Sequence, residues 1–390
     1  MKRKLIAFSI IFFSLFSVYG QITLSKKSEI SVLTCSPGNE LYAAFGHSAI
    51  RVLDIENNID WVFNYGTFDF KTPNFYGKFI KGQLNYILSI ESFKSFESSY
   101  NQDKRYVSEQ VLNLDSLKKQ QLFDFLIWNA KDENKYYLYD FFWDNCATRI
   151  RDVLTKIYGD SLIYPVKEYN ISFRDMIDSY LKDSPWTHFG INIALGLPAD
   201  SLVNTYYVQF LPDYMDTVFT NCYLKNETPI PLVKERNVLV NSEIPYNQGI
   251  EKYLNPKSVF WFLFILFGLL TFYEFKKKKR FYAIDTILLF IFGFIGLFVS
   301  FLWFGTEHRG ANYNLNIMWA LPTHFIVAII LLFNKKSNFV QKYLFITGIY
   351  TLIFLPFWNI FPQRFDTALI PLFLIVGLRF TLLYLTRQKQ

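Results

Sequence analysis

The sequence predicts a mixed α+β domain carried out of the cell interior, followed by an all-α domain of five membrane-spanning helices. Three observations lead there. The first residues carry the three parts of a secretory signal. Residues 21–250 mix short β-like and helical patterns, and 258–385 is nearly continuous apolar sequence broken by short charged loops. Of the 390 residues, 51% are hydrophobic and 20% aromatic, distributed unevenly enough to divide the chain into 1–20, 21–252 and 256–387.

Lys2, Arg3 and Lys4 make a basic start, Leu5–Val18 an apolar stretch and Val18-Tyr19-Gly20 a small-residue exit, so cleavage is expected after Gly20. A retained anchor is the alternative, although about 14 apolar residues are short for a span. Gln21 is not Cys, so lipid attachment at this junction is not expected. Strands follow near Glu29–Thr34, His47–Asp54, Trp61–Tyr65 and Leu84–Ile90, with Val107–Leu114 a further candidate. Helices are expected near Phe93–Gln102, Ser116–Asn129 and Asn145–Tyr158, and the stretch from Tyr164 to Glu251 is less regular. This order reads as α+β rather than alternating β-α units.

Five apolar segments then run near Ser258–Phe275, Ala283–Phe304, Leu315–Phe333, Tyr343–Ile360 and Thr367–Leu385. Several approach the ~20 residues that cross a hydrocarbon layer. With the α+β domain outside, Lys276–Arg280, Lys335, Lys336, Arg387 and Lys389 all fall inside, as the positive-inside rule asks. These flanking cations supply much of the formal +7 charge, which therefore reports membrane topology and argues against a nucleic-acid partner.

Two segments can carry chemistry. In Phe45-Gly46-His47-Ser48-Ala49-Ile50-Arg51-Val52 a histidine enters a β-like run straight after glycine. In Asp144-Asn145-Cys146-Ala147-Thr148-Arg149-Ile150, either Asp144 or Asn145 can cap a helix whose apolar positions Ala147, Ile150, Val153, Leu154 and Ile157 recur at helical spacing. Cys146 then lies in the first turn, where free N–H groups and the helix dipole favour a thiolate. The same N–H groups can hold an oxyanion, and Asn145 is a candidate donor to it. A buried small hydrophobe and a satisfied core histidine are the plainer readings of Cys146 and His47. Some hundred residues separate them, and local pattern alone does not bring them together.

These motifs resemble the circularly permuted branch of the NlpC-type papain-like superfamily, which includes lecithin:retinol acyltransferase-like proteins. More closely, the chain is similar to the Lnb family of Bacteroidota, lipoprotein N-acyltransferases with a periplasmic domain and a membrane C-terminus. Leu33-Thr34-Cys35-Ser36-Pro37-Gly38, Asn64-Tyr65-Gly66, Gly196-Leu197-Pro198-Ala199-Asp200 and Phe210-Leu211-Pro212-Asp213 carry the likeness beyond the His and Cys motifs. The resemblance implies a papain-like fold on the periplasmic side of a bacterial inner membrane, with Cys146 as nucleophile and His47 as base. It also implies a third polar residue on the strand after the histidine: Asn64, or Asp69 in the turn beyond. The implied donor is a phospholipid and the implied acceptor a diacylated lipoprotein, with no cofactor. A cysteine amidase or endopeptidase cutting cell-wall peptides is a second reading, and a non-catalytic membrane-held binding module a third.

The loop Thr306–Asn316 is more polar than a connector needs, so His308, Arg309 and Asn316 are candidates for contact with a lipid headgroup; anchoring a helix end is the alternative. His324, after Pro322 in the third apolar segment, is an ionisable group in expensive surroundings. Arg364 and Asp366 can pair or meet phosphate. The four histidines (His47, His188, His308 and His324) lack metal-ligand spacing, and no Gly-rich phosphate cradle is present. Of the three cysteines, Cys35 and Cys222 are the pair that would spare Cys146 if a disulfide formed.

Overall fold

The computed structural model describes residues 22–242, 254–335 and 337–388. The expected signal segment and the junction near 243–253 lie outside them. Its N-terminal part is built on one antiparallel sheet. Strands β1 (Glu29–Cys35), β2 (His47–Asp54), β3 (Ile59–Thr67), β4 (Asn85–Ser92), β5 (Val107–Leu112) and β6 (Tyr136–Leu138) come in chain order. Shorter strands β7 (Leu162–Ile163), β10 (Tyr223–Leu224) and β11 (Ile230–Pro231) make a small sheet, and β8 (Glu168–Ser172) pairs β9 (Leu202–Asn204). The distant β12 (Val233–Val240) closes the main sheet, whose order is β12-β5-β1-β2-β3-β4-β6.

Period-two alternation gives this sheet two apolar faces. Ile30, Val32, Ile50, Val52, Phe63 and Tyr65 face one side, and Leu33, Cys35, Ala49 and Val62 the other. Between β3 and β4 runs the short helix α1 (Phe75–Ile80), which local sequence did not announce. Helix α2 (Phe93–Gln102) starts at Ser92, whose hydroxyl accepts from Ser95 N–H, and covers the second face with Phe96 and Tyr100. Helices α3 (Ser116–Asn129) and α4 (Cys146–Tyr158) cover the first. Ala147, Ile150 and Leu154 of α4 are wholly buried at helical spacing; sinking the two larger side chains stabilises the layer by about 1.5–3 kcal/mol each. Helices α5 (Phe173–Tyr180), α6 (Pro185–Ala194) and α7 (Pro212–Thr220) complete this part.

The C-terminal part is helical: α8 (Pro256–Lys277), α9 (Tyr282–Phe304), α10 (Thr323–Phe333), α11 (Asn338–Phe357) and α12 (Leu369–Gln388). Each of the five apolar segments forms a helix, but they are unequal. Among the described residues α8, α9 and Asn338–Ile360 are long and apolar enough to span a bilayer. The third segment is broken: Arg309–Met318 and Thr323–Phe333 meet at 47°. Pro322 begins α10, and Asn314 and Asn316 are drawn away into contacts with α6, so an unbroken helix from Leu315 is not formed. The apolar part of α12, Leu369–Leu385, is shorter and carries a buried Arg379.

The two parts touch along α6 and the segment after it. Gly196 N–H donates to Gly310 O at 2.9 Å, and Asn314 Nδ2 donates to Ile193 O and Ala194 O. Gln363 Nε2 reaches Leu195 O, and Arg364 pairs with Asp175 and Asp178 of α5.

A candidate thiol–imidazole site

Gly46 turns the chain into β2 with φ of +78°; a Cβ there would stand 2.7 Å from Cys35 O, so only glycine fits. His47 then opens the strand opposite Cys35. Alternation puts His47 on the α2 side with Ala49 and Arg51, and Ser48 on the α4 side with Ile50. The imidazole borders a polar cavity of about 260 Å³ shared with Asn64, Glu91, Tyr100 and Arg105. Its Nε2 lies 3.1 Å from Asn64 Oδ1, while Asn64 Nδ2 donates to Glu91 Oε1 at 3.0 Å. A carbonyl oxygen only accepts, so Nε2 carries the hydrogen and Nδ1 keeps the lone pair of a base. Burial pushes the imidazole pKa down to about 4, against the opposing pull of Asn64. It is neutral at ordinary pH.

Before α4, Asp140 and Asp144 exchange backbone hydrogen bonds, and Asp140 Oδ1 accepts from Phe142 N–H and Trp143 N–H. Arg149 holds Asp144 from the helix side with Nε and Nη2. This tight turn delivers Asn145 as the cap and Cys146 as the first helical residue. The backbone N–H groups of Ser48, Ala147 and Cys146 itself favour the thiolate of this buried side chain. Burial raises its pKa and outweighs those donors. The thiolate expected from the helix end is therefore not the resting form.

The His and Cys segments meet at one end of the sheet. The backbone N–H of Ser48, next to His47 in β2, acts electrostatically on the thiol. Pairing of β2 with β3 stops at Ile50–Phe63, and Gly66, with no side chain and φ of +87°, faces Cys146 across the opening. A Cβ on Gly66 would lie 3.6 Å from Cys146 Cβ. Cys146 is also near enough to Cys35 and Tyr100, on the α2 side, to raise both their pKa values.

The other sequence candidates divide clearly. Asn64 touches the imidazole; Asp69 instead accepts from Lys71 N–H within its own turn. Asn145 cannot serve an oxyanion, because both amide hydrogens are taken by Phe141 O and Phe210 O and its Oδ1 by Thr148 N–H. Asn316 is likewise structural: Nδ2 donates to Ile193 O and Oδ1 accepts from Trp319 Nε1, burying the amide away from any headgroup. His308 Nε2 lies 3.2 and 3.1 Å from the carbonyls of Phe79 and Ile80, tying α1 down. Arg309 stays exposed, with its guanidinium 4.3 Å over the Trp143 ring and 3.8 Å from Asp140. His324 meets the Tyr343 hydroxyl at 2.7 Å, and Asp366 lies 3.6 Å from His188. All three cysteines are free, with Cys35 and Cys222 in separate apolar clusters. Glu91, behind Asn64, escaped sequence reading because its partner is one strand away.

A family model for the Lnb N-terminal periplasmic domain matches residues 19–174, and one for the Lnb transmembrane domain matches 248–390. No curated protein and no solved structure matches the chain. Two models of one family, matched in order over the α+β part and the helical part, describe a membrane protein with a periplasmic domain. The chain belongs to the Lnb family.

Proposed function

We propose that the protein is a thiol-dependent lipoprotein N-acyltransferase of the bacterial inner membrane. The supporting observation is the placement of Cys146: a thiol at the amino end of α4, acted on by three backbone N–H groups, one of them from Ser48, the residue after a neutral histidine. In the first step His47 Nδ1 takes the thiol proton as Sγ attacks an ester carbonyl of a phospholipid. The C–O bond breaks, the lysophospholipid oxygen leaves with that proton, and a thioester remains. In the second step the α-amino group of a diacylglyceryl-cysteine attacks the thioester. A C–N bond forms, the C–S bond breaks, and His47 passes the amine proton to the departing thiol.

Asn64 and Glu91 are positioning residues: they engage Nε2 and leave Nδ1 to act as the base. The N–H groups gathered at the thiol are the donors closest to where an oxyanion develops. Membrane helices suit this chemistry because donor and acceptor are both lipid-anchored, and confinement to one leaflet raises their effective concentration.

Intact-mass analysis of the full chain, incubated in detergent with a phospholipid of defined chain length, tests the reading. An adduct of one acyl chain, located on Cys146 and removed by hydroxylamine, is expected. The Cys146→Ser variant should carry no thioester, and His47→Ala should form the adduct about 10²–10⁴-fold more slowly. Turnover of a diacylated lipopeptide without any Cys146 adduct would overturn the proposal, as would release of cell-wall peptides dependent on Cys146.

A further inference from the structure

The connection from β3 to β4 carries an aromatic cluster that the core does not use. Phe70, Tyr76, Phe79 and Ile80 are exposed, as is the neighbouring Tyr42. Beneath them Phe75 is buried, with ring centroids 4.9 Å from Phe70 and 5.8 Å from Phe68. Solvated aromatics packed this closely form a patch that marks a contact surface. Its position identifies the occupant. Glu307 N–H donates to Lys81 O at 2.8 Å, and His308 Nε2 sits against the carbonyls of Phe79 and Ile80. Both residues belong to the loop that joins the span α9 to α10, so the patch is fastened at the edge of the membrane helices. Lys71, Lys78 and Lys81 accompany it, against Asp69 as the one acid in 67–83. Aromatics with flanking cations match the layer where apolar chains meet anionic headgroups.

The rings also lead inward. Phe68 lies 5.3 Å from Tyr86, Tyr86 stacks on Tyr139 at 4.4 Å, and Tyr139 adjoins the space left open by Gly66 beside Cys146. Tyr139 feels the thiol electrostatically.

We propose that residues 68–81 form a lip set into the headgroup layer of the leaflet facing the N-terminal domain, and that Phe68, Tyr86 and Tyr139 guide a lipid acyl chain from it toward Cys146. The lip follows from its own contacts; the direction of the chain rests on the acyltransferase reading. The test uses Cys146→Ala full-length protein in nanodiscs of phosphatidylethanolamine and phosphatidylglycerol, doped with a phospholipid bearing a diazirine within one acyl chain. After illumination, mass spectrometry should find cross-links in the peptides spanning 67–86 and around Tyr139. The double substitution Phe70→Asp and Tyr76→Asp should reduce them several-fold while cross-links within α8–α12 persist. Labelling of 67–86 no greater than that of the peptide holding exposed Val166 would overturn the proposal. Cross-linking is independent of turnover. A labelled lip without thioester formation in the native protein would therefore sink the acyltransferase reading and leave the lip standing.

Discussion

A thiol in the first turn of a helix feels two opposed influences, and at Cys146 the cost of placing a charge in a buried site exceeds the gain from three N–H donors. The His47 imidazole is shifted in the same sense, toward its neutral form. With its pKa held near 4 by burial, His47 is neutral across the physiological range. Each group thus rests in its neutral form, Cys146 as thiol and His47 as imidazole. Alkylation of Cys146 by iodoacetamide should consequently climb about tenfold per pH unit from 6 to 9, tracking the thiolate fraction. A flat rate from pH 5 to 8 would reveal a preformed ion pair and contradict this. The same shift bears on folding. The unfolded histidine binds its proton near 6.5 and the folded one near 4, so this residue's contribution to stability is present above 6.5 and lost as pH falls through that window.

At the scale of elements, the helical part is held by more than apolar packing. Arg379 of α12 donates through Nε to Asp285 of α9 at 2.6 Å and through Nη1 and Nη2 to Glu274 of α8. Arg280 joins from the loop, with Nε on Asp285 and Nη1 on Gln341 of α11. Four helices thus share one buried set of charges. Arg379→Met would leave two buried carboxylates with too few partners, at a cost of about 3–5 kcal/mol. The thermal unfolding midpoint in detergent should fall sharply, and Arg379→Lys, which keeps the charge but loses the planar fork, should lie between. An unchanged midpoint for Arg379→Met would show that packing alone sets the bundle. None of this network was legible in the sequence, because Glu274, Asp285 and Arg379 lie on three different helices and no local pattern says that they meet. What was legible was periodic. β2 and α4 sit where alternation and helical spacing placed them, because each buries its own local stripe. Asn316 and Asn145 show the limit: both are polar residues at suggestive positions, and each gives an amide hydrogen to a carbonyl remote in sequence, Ile193 O and Phe210 O respectively.

The whole molecule depends on how its two parts are joined, and Gly196 is the tightest point of that junction. A Cβ there would stand 1.9 Å from Asn312 O and 2.8 Å from Ala311 O. These are backbone atoms in the loop between α9 and α10, so no side chain can swing aside to make room. Around this contact, Asn314, Asn316 and Gln363 donate to carbonyls of residues 193–195, and Arg364 pairs with α5. The same loop carries His308, which holds α1, and Arg309, which covers Trp143 just before the Cys146 helix. Gly196→Ala should therefore force the junction apart at about 1–3 kcal/mol, without touching either core. Hydrogen exchange of the full chain in nanodiscs is the measurement. Amides of 193–200 and 305–316 should exchange faster in the variant, while those of β1, β2 and α4 remain protected. If the acyltransferase reading holds, thioester formation from bilayer phospholipid should fall together with that protection, because a thiol no longer seated over the leaflet loses the proximity that confinement supplies. Unchanged exchange at the junction would mean that the two parts are coupled elsewhere than along α6.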